Sequence, residues 1–227
     1  MNIMKSVRDL TKAERTRWVV SLFLIVASSA IFKERDLLTI AASALGATAL
    51  IFVGKGDAIG QLITIIFACV YAIISFRFRY YGEMITYLGM TAPTAFLAMK
   101  EWLKNPYSER EVRVGKMTKG KWFLLVISAV LVTVIMWKVL EFFKTENLLF
   151  STISVTTSFF ASMLTVFRSP YYAIFYALND VVLIVLWVLA SAVNINYAPM
   201  ILCFLIFLIN DLCGFINWKR AETLQQL

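Results

Sequence analysis

The chain has 227 residues, 60% of them hydrophobic and only 16% charged, with 22 Lys and Arg against 14 Asp and Glu for a net charge of +8. Soluble domains are nearer half apolar and a quarter charged, so this composition excludes a soluble enzyme with a tail anchor. Histidine is absent from the sequence, which removes the usual general base, the usual phosphorelay residue and the commonest metal ligand. No cofactor is expected. Cys69, Cys203 and Cys213 lie inside apolar runs without metal-site spacing and read as small helix fillers.

A helix needs roughly 20 residues to cross the hydrocarbon of a bilayer. Long apolar runs bounded by charges predict helices over about 18–34, 36–53, 57–77, 81–103, 121–143, 147–167, 171–193 and 197–218. Gly54 and Gly56 mark one turn, Pro170 follows Ser169 at the start of a helix, and Asn194-Ile195-Asn196 forms a polar connection. The first two spans are separated only by the charged stretch Phe32–Asp36. Residues 1–30 have the basic start and the small residues Ala27-Ser28-Ser29-Ala30 of a cleaved leader, but a second apolar span follows almost at once, which favours a retained helix.

Lys5, Arg8, Lys12, Arg15 and Arg17 precede the first span, Lys104, Arg110, Arg113, Lys116, Lys119 and Lys121 fill the central loop, and Lys219 and Arg220 follow the last span. Cytoplasmic loops carry the excess of Lys and Arg. All three groups fall on one side if eight spans are drawn with both termini in the cytoplasm; Arg77 and Arg79 are then on the opposite side. The basic excess is therefore topological. It does not point to nucleic acid, which would need a clustered basic surface on a folded domain.

Sliding the chain against itself by 116 residues places Trp102 on Trp218, Tyr81 on Tyr197, Met84 on Met200, Ile85 on Ile201, Ser75 on Ser191 and Leu62 on Leu178, with Tyr71 on Trp187 as an aromatic pair. Three helices then recur as three helices with one between them, a parallel repeat of the kind found in some transporters. The expected fold is an all-α polytopic membrane protein of about seven or eight spans. Its expected parts are a basic N-terminal segment and extra helix (1–35), a first three-helix bundle (36–104), a cytoplasmic loop and linking helix (105–146), a second three-helix bundle (147–220) and a tail (221–227). Two such bundles usually hold a substrate between them near the midplane.

Polar groups within the spans are candidate site residues, because charge in hydrocarbon is costly. Asn179-Asp180 lies a third of the way into its span and Asn210-Asp211 past the middle of the last, and each Asn precedes a Trp, Trp187 or Trp218, by eight residues. Eight residues is a little over two turns, or about 12 Å, so each Asn shares a face with its Trp. The same residues also suit interhelical hydrogen bonding, and Trp218 also suits the interfacial belt. Aromatic faces attract flat rings and cations, amides recognise carboxamides and hydroxyls, and a carboxylate balances a positive ring or chelates a ribose diol. A flat, cationic, hydroxyl-bearing solute fits all three; sugars fit less specifically.

Residues 171–220, with YYAIFYALNDVVLIVLW and INDLCGFINWKR, resemble the PnuC family of nicotinamide riboside transporters, and so do GQLITIIFACVYAIISF (60–76) and RYYGEMITYLGMTAP (79–93). The resemblance covers about 35–220, and its most specific motif is the ending NDxxGFxNW. It implies a SWEET-like fold, a homotrimer in the lipid of the bacterial cytoplasmic membrane, and facilitated diffusion of the riboside. A cytoplasmic riboside kinase traps the product on its way to NAD. It further implies that Phe175 and Trp187 stack on the ring, that Asn179 and Asn210 bind the carboxamide or ribose, and that Asp180 offsets the charge. Tyr197 and Trp218 belong to the same expected site, with Gln61, Tyr71 and Thr94 contributed by the first repeat. Phe175, Tyr176 and Phe215 stand where some relatives carry Trp, and related branches carry thiamine or riboflavin, which remain alternative substrates. The first repeat has Thr64 and Ala95 where the second has Asp180 and Asp211, so the expected site is asymmetric. A substrate-capture subunit of an energy-coupled importer is a further alternative, disfavoured by the repeat.

The loop Gly115-Lys116-Met117-Thr118-Lys119-Gly120 lacks the spacing of a phosphate loop and reads as a solvated connector. No nucleophile is paired with a base, so enzymatic chemistry is not expected.

Overall fold

The structure is a computed structural model describing residues 3–31, 37–77, 81–109 and 111–226, without the side chains of 81–83 and 196. The Phe32–Asp36 connector, Arg79, Arg110 and the side chains of Tyr81 and Asn196 therefore lie outside the described residues. Among the described residues the chain is helical, with only two isolated bridges, Asp57–Glu111 and Pro106–Val112.

The N-terminus folds as a short helix α1 (Ile3–Arg8) and then α2 (Lys12–Ile31). α2 begins six residues before the predicted span because Thr11 and Glu14 form a capping box. Thr11 N and Oγ1 donate to Glu14 Oε2 at 2.8 and 2.9 Å, and Glu14 N donates back to Thr11 Oγ1 at 3.3 Å. α3 (Leu37–Lys55), α4 (Ile59–Arg77), α7 (Lys119–Phe142), α8 (Leu148–Val166), α9 (Tyr172–Val193) and α10 (Ala198–Leu224) are all long and apolar enough to cross a membrane. The chain is a multi-pass membrane protein.

The predicted helix 81–103 is broken in two, α5 (Tyr81–Thr86) and α6 (Ala92–Lys104), by a π turn over Tyr87–Thr91. Ala92 N donates to Tyr87 O, five residues back. Pro93 follows at once, and a proline has no N–H for the carbonyl four residues earlier and crowds it with its ring, so the widened turn accommodates it. α10 runs six residues past its predicted end and carries Trp218 well inside a helix.

Helix contacts close a ring: α3 packs on α4, α4 on α6, α6 on α8, α8 on α9, α9 on α10, and α10 back on α3. α2 lies outside this ring against α3 and α10, and α7 lies outside it against α8. Phe123, Leu124, Val130, Leu131 and Val134 of α7 are exposed, as an apolar helix facing lipid requires.

The repeat is clearest at the ends of α3 and α8. Gly56 N donates to Val53 O and Asp57 N to Phe52 O; 112 residues on, Arg168 N donates to Thr165 O and Ser169 N to Leu164 O. Both turns are Schellman caps, with Gly56 (φ 80°) and Arg168 (φ 59°) in the left-handed region. The single 116-residue offset read from the sequence therefore does not hold for the first helix of each half. Four residues, close to one helical turn, separate the two offsets: α9 is three residues longer than α4, and the turn before it, counted from Gly56 and from Arg168, is one residue longer.

At one end of the ring the connecting segments knit together. Val112 N donates to Gly56 O, Gly115 N to Arg168 O, and Gln225 accepts from Val114 N and donates to Val112 O. Ser6 Oγ donates to Asp57 Oδ2 at 2.6 Å, and Lys55 Nζ to the Asp9 carbonyl.

Candidate functional site

The helix ring encloses a chamber of about 200 Å³ lined from α3, α4, α5, α6, α8, α9 and α10. One end is lined by Leu140, Thr145 and Ser151, the other by Val53, Ala98 and Thr165. Beyond this second end lie Trp102 and Trp218, both almost fully buried, with ring centroids 5.2 Å apart.

Six of the ten residues expected from sequence line the chamber: Gln61, Tyr71, Thr94, Asn179, Asp180 and Trp187. Gln61 is 3% exposed, and its Nε2 has no hydrogen-bond partner among the described residues. Asn179 Oδ1 accepts from Ser154 Oγ at 2.8 Å and Thr157 Oγ1 at 3.0 Å, which ties the amide to α8 and leaves its Nδ2 hydrogens as donors for a ligand. Thr94 Oγ1 is spent on its own helix, donating to Met90 O at 2.7 Å.

The other four lie elsewhere. Phe175 stacks on Phe160, centroids 4.8 Å apart and planes at 15°, in the core between α8 and α9. Asn210 faces α2, with Nδ2 donating to Ser21 Oγ at 3.2 Å and to Ile206 O at 3.0 Å. Trp218 is a core residue whose Nε1 donates to Val53 O at 2.9 Å. Tyr197 lines a separate, smaller cavity beside Trp187, with ring centroids 5.8 Å apart. The shared face drawn for Asn210 and Trp218 thus packs helices, because the same helix turns Asp211 instead towards the chamber.

Asp211 is the residue of greatest weight outside the expected set. Asp180 and Asp211 are each 4% exposed and both line the chamber. Asp180 Oδ2 is buried with no hydrogen-bond partner among the described residues. Thr64 and Ala95, their counterparts in the first repeat, line the same chamber, so the asymmetry read from the sequence is also an asymmetry of the cavity wall.

A hydroxyl row on α8 was not singled out from the sequence. Ser151, Ser154, Ser158, Ser162 and Thr165 all line the chamber, and their spacing of three and four residues is one helix face. Ser162 Oγ lies 3.1 Å from Tyr176 Oη, which lines the same chamber from the neighbouring helix α9. Among the described residues, no Lys or Arg lines the chamber.

The NDxxGFxNW ending mostly docks α10. Gly214 meets Gly54 of α3 so closely that a Cβ on Gly54 would lie 3.3 Å from the Gly214 Cα. That approach brings Trp218 to the Val53 carbonyl, while Asn217 Nδ2 reaches Glu14 Oε1 at 3.5 Å. Of this motif only Asp211 lines the chamber.

The sequence model of a family described as nicotinamide mononucleotide transporter matches residues 36–220, which span the whole ring. The nicotinamide riboside transporter PnuC of Neisseria mucosa is 26% identical over 209 residues, which cover 89% of this chain and 80% of that protein. A solved structure described as the vitamin B3 transporter PnuC superposes with a TM-score of 0.82 at 24% identity, covering 98% of this chain and 97% of the other. A ring of helices around a carboxyl-bearing chamber, the matched fold and the match over 36–220 lead to one assignment: the chain belongs to the nicotinamide mononucleotide transporter family, and is a membrane transporter.

Proposed function

We propose that this protein carries nicotinamide riboside across the membrane by facilitated diffusion, with the chamber alternately open to either side. The observation that carries the reading is charge: Asp180 and Asp211 line the chamber and, among the described residues, no Lys or Arg does. The family is described by the mononucleotide and the Neisseria relative by the riboside, and the chamber wall favours the second. A phosphate monoester brings close to two negative charges, which the buried carboxyls would repel and no basic group would offset. The riboside is a pyridinium cation with no phosphate. Trp187 and Tyr71 offer ring faces, Gln61 Nε2 and Asn179 Nδ2 offer donors to the ribose or carboxamide, and Asp180 and Asp211 offset the positive ring.

Transport without coupling follows from the same parts. The bundles 36–104 and 147–220 rock about the chamber, and the membrane potential favours entry of a cation. The basic segments gather at the end of the ring where Gly56, Arg168 and Gln225 meet, which supports both termini in the cytoplasm. A homotrimer and trapping by a cytoplasmic riboside kinase complete the proposal and come from the resemblance of the sequence.

Calorimetric titration of the purified chain with nicotinamide riboside, the mononucleotide, thiamine and riboflavin tests it. Selective riboside binding, followed by uptake into liposomes without an imposed gradient, is the expected result. Mononucleotide binding as tight as riboside binding would overturn the charge argument, and thiamine binding alone would overturn the substrate.

A further inference from the structure

A second cavity of about 90 Å³ lies beside the main chamber, among the N-terminal half of α3, the C-terminal half of α4 and the start of α10. Six aromatic side chains (Phe67, Tyr71, Tyr87, Trp187, Phe204 and Phe207) line both cavities and partition them. Tyr71 and Tyr87 are in ring contact, centroids 4.4 Å apart. Ala42, Ser75, Tyr197 and Met200 are among the residues that line the smaller cavity alone.

Two properties set it apart from the main chamber. Among the described residues, no charged residue lines it. Ser75 is 1% exposed, and its Oγ has no hydrogen-bond partner among the described residues. A buried hydroxyl without a partner is unfavourable unless something else supplies one.

We propose that this cavity is a second binding site, for a neutral flat ring bearing an amide, with free nicotinamide as its representative ligand. Its aromatic walls suit a ring stacked or held edge to face, and Ser75 Oγ can donate to or accept from an amide. A pyridinium cation is drawn to aromatic faces too, but the main chamber joins some of the same rings to Asp180 and Asp211. The cation therefore partitions to the main chamber, and a neutral ring has no such reason to follow. Nicotinamide seated behind Tyr71 and Trp187 props those rings, so it slows riboside passage without displacing the riboside. This last role rests on the reading of the main chamber as the riboside site; the second site itself does not.

Nicotinamide is titrated by calorimetry into the full chain, both empty and saturated with riboside, and into the Ala42→Leu and Ser75→Ala proteins. Ala42 is buried and lines only the smaller cavity, so leucine there fills it. The expected result is nicotinamide binding that riboside changes by less than about threefold, as two sites with little coupling require. Ser75→Ala should weaken nicotinamide by about tenfold and Ala42→Leu should abolish it, with riboside affinity held within about threefold in both. Mutual competition, no nicotinamide binding to the parent chain, or binding indifferent to both substitutions would each overturn the proposal. If the riboside binds nowhere while nicotinamide still responds to both substitutions, the substrate reading fails and the second site stands.

Discussion

Trp102 and Trp218 form a reciprocal clasp: each stands in the third helix of its own half and donates its indole N–H to the first helix of the other. Trp102 Nε1 reaches Thr165 O at 2.9 Å, and Trp218 Nε1 reaches Val53 O at 2.9 Å. Both acceptors sit at the same place in the two Schellman turns, where helix-end carbonyls lack helical partners. Val53 O also takes the Tyr172 hydroxyl at 3.3 Å, and Tyr172 and Trp218 are in edge contact at 5.2 Å. The clasp lies just beyond the Val53 and Thr165 end of the chamber, so opening that end requires the two indoles to part or move together.

Replacing either tryptophan with phenylalanine keeps a ring but removes one of the donors on its acceptor: Val53 O keeps Gly56 N and the Tyr172 hydroxyl, and Thr165 O keeps Arg168 N. Each change should cost about 0.5–1.5 kcal/mol for the lost bond, read as a lower apparent melting temperature in detergent. Because the rings touch, the double variant should differ from the sum of the singles by about 0.5–1.5 kcal/mol. Trp218→Phe should leave riboside affinity within about threefold, since its effect is on packing. Strict additivity, or a large loss of affinity with an unchanged melting temperature, would contradict the clasp.

Sequence alone carried the helices, the repeat and the asymmetry of Asp180 and Asp211 against Thr64 and Ala95, because apolar length and charge in a span are local properties. It placed Asn210, Trp218 and Phe175 in the site and the structure does not, because a helix has several faces and spacing along it does not say which neighbour each face meets. Asp211 and Asn210 are adjacent in the chain, yet one faces the chamber and the other meets Ser21 of α2. The α8 hydroxyl row was legible by its spacing of three and four residues. It is masked because hydroxyls bonded to their own helix backbone, as Thr165 Oγ1 is to Ala161 O, are common in membrane helices.

Gly115 tests the knit end of the ring. A Cβ there would fall 2.2 Å from Phe167 O, a backbone atom that cannot swing aside. Gly115→Ala should therefore break the Gly115 N to Arg168 O bond at 2.8 Å and loosen the central loop. The expected readout is protease sensitivity in the segment 105–118 with a loss of about 1–3 kcal/mol; Gly120→Ala, with open space around its position, is the control that should change neither.

Arg168 occupies a left-handed position that Gly56 fills in the other half. A non-glycine residue there costs roughly 1 kcal/mol. Its guanidinium donates to Arg113 O at 3.2 Å from an exposed position, a bond of little weight in water. Arg168→Gly should raise the apparent melting temperature slightly, whereas Gly56→Arg should lower it by more, since Val112 and Trp218 crowd that site. Equal effects in both turns would refute the backbone argument.

Ser158 lies mid-row on α8 and lines the chamber. Ser158→Phe should occupy the space intended for the ring while leaving the outer faces of α8 untouched. Uptake should fall by more than about tenfold with a melting temperature near that of the parent. Retained uptake would mean the solute passes elsewhere than along the α8 row.

The carboxyl pair makes the sharpest prediction about selectivity. Asp211→Asn keeps the size of the side chain and removes the capacity for a second negative charge beside the ligand. Charge-assisted contacts are roughly twice as strong as neutral ones, so riboside affinity should fall by about tenfold or more. The uncharged dihydro form of the riboside has the same shape without the cation and should lose less than about threefold. Asp180→Asn should do the same and, because Asp180 Oδ2 is buried with no hydrogen-bond partner among the described residues, should do so to a greater degree. The mononucleotide should bind the two variants better than the parent, since each removes part of the field that repels its phosphate. If both forms of the riboside weaken equally in both variants, the carboxyls position the ligand and do not select its charge, and discrimination against the phosphate must come from the size of the chamber.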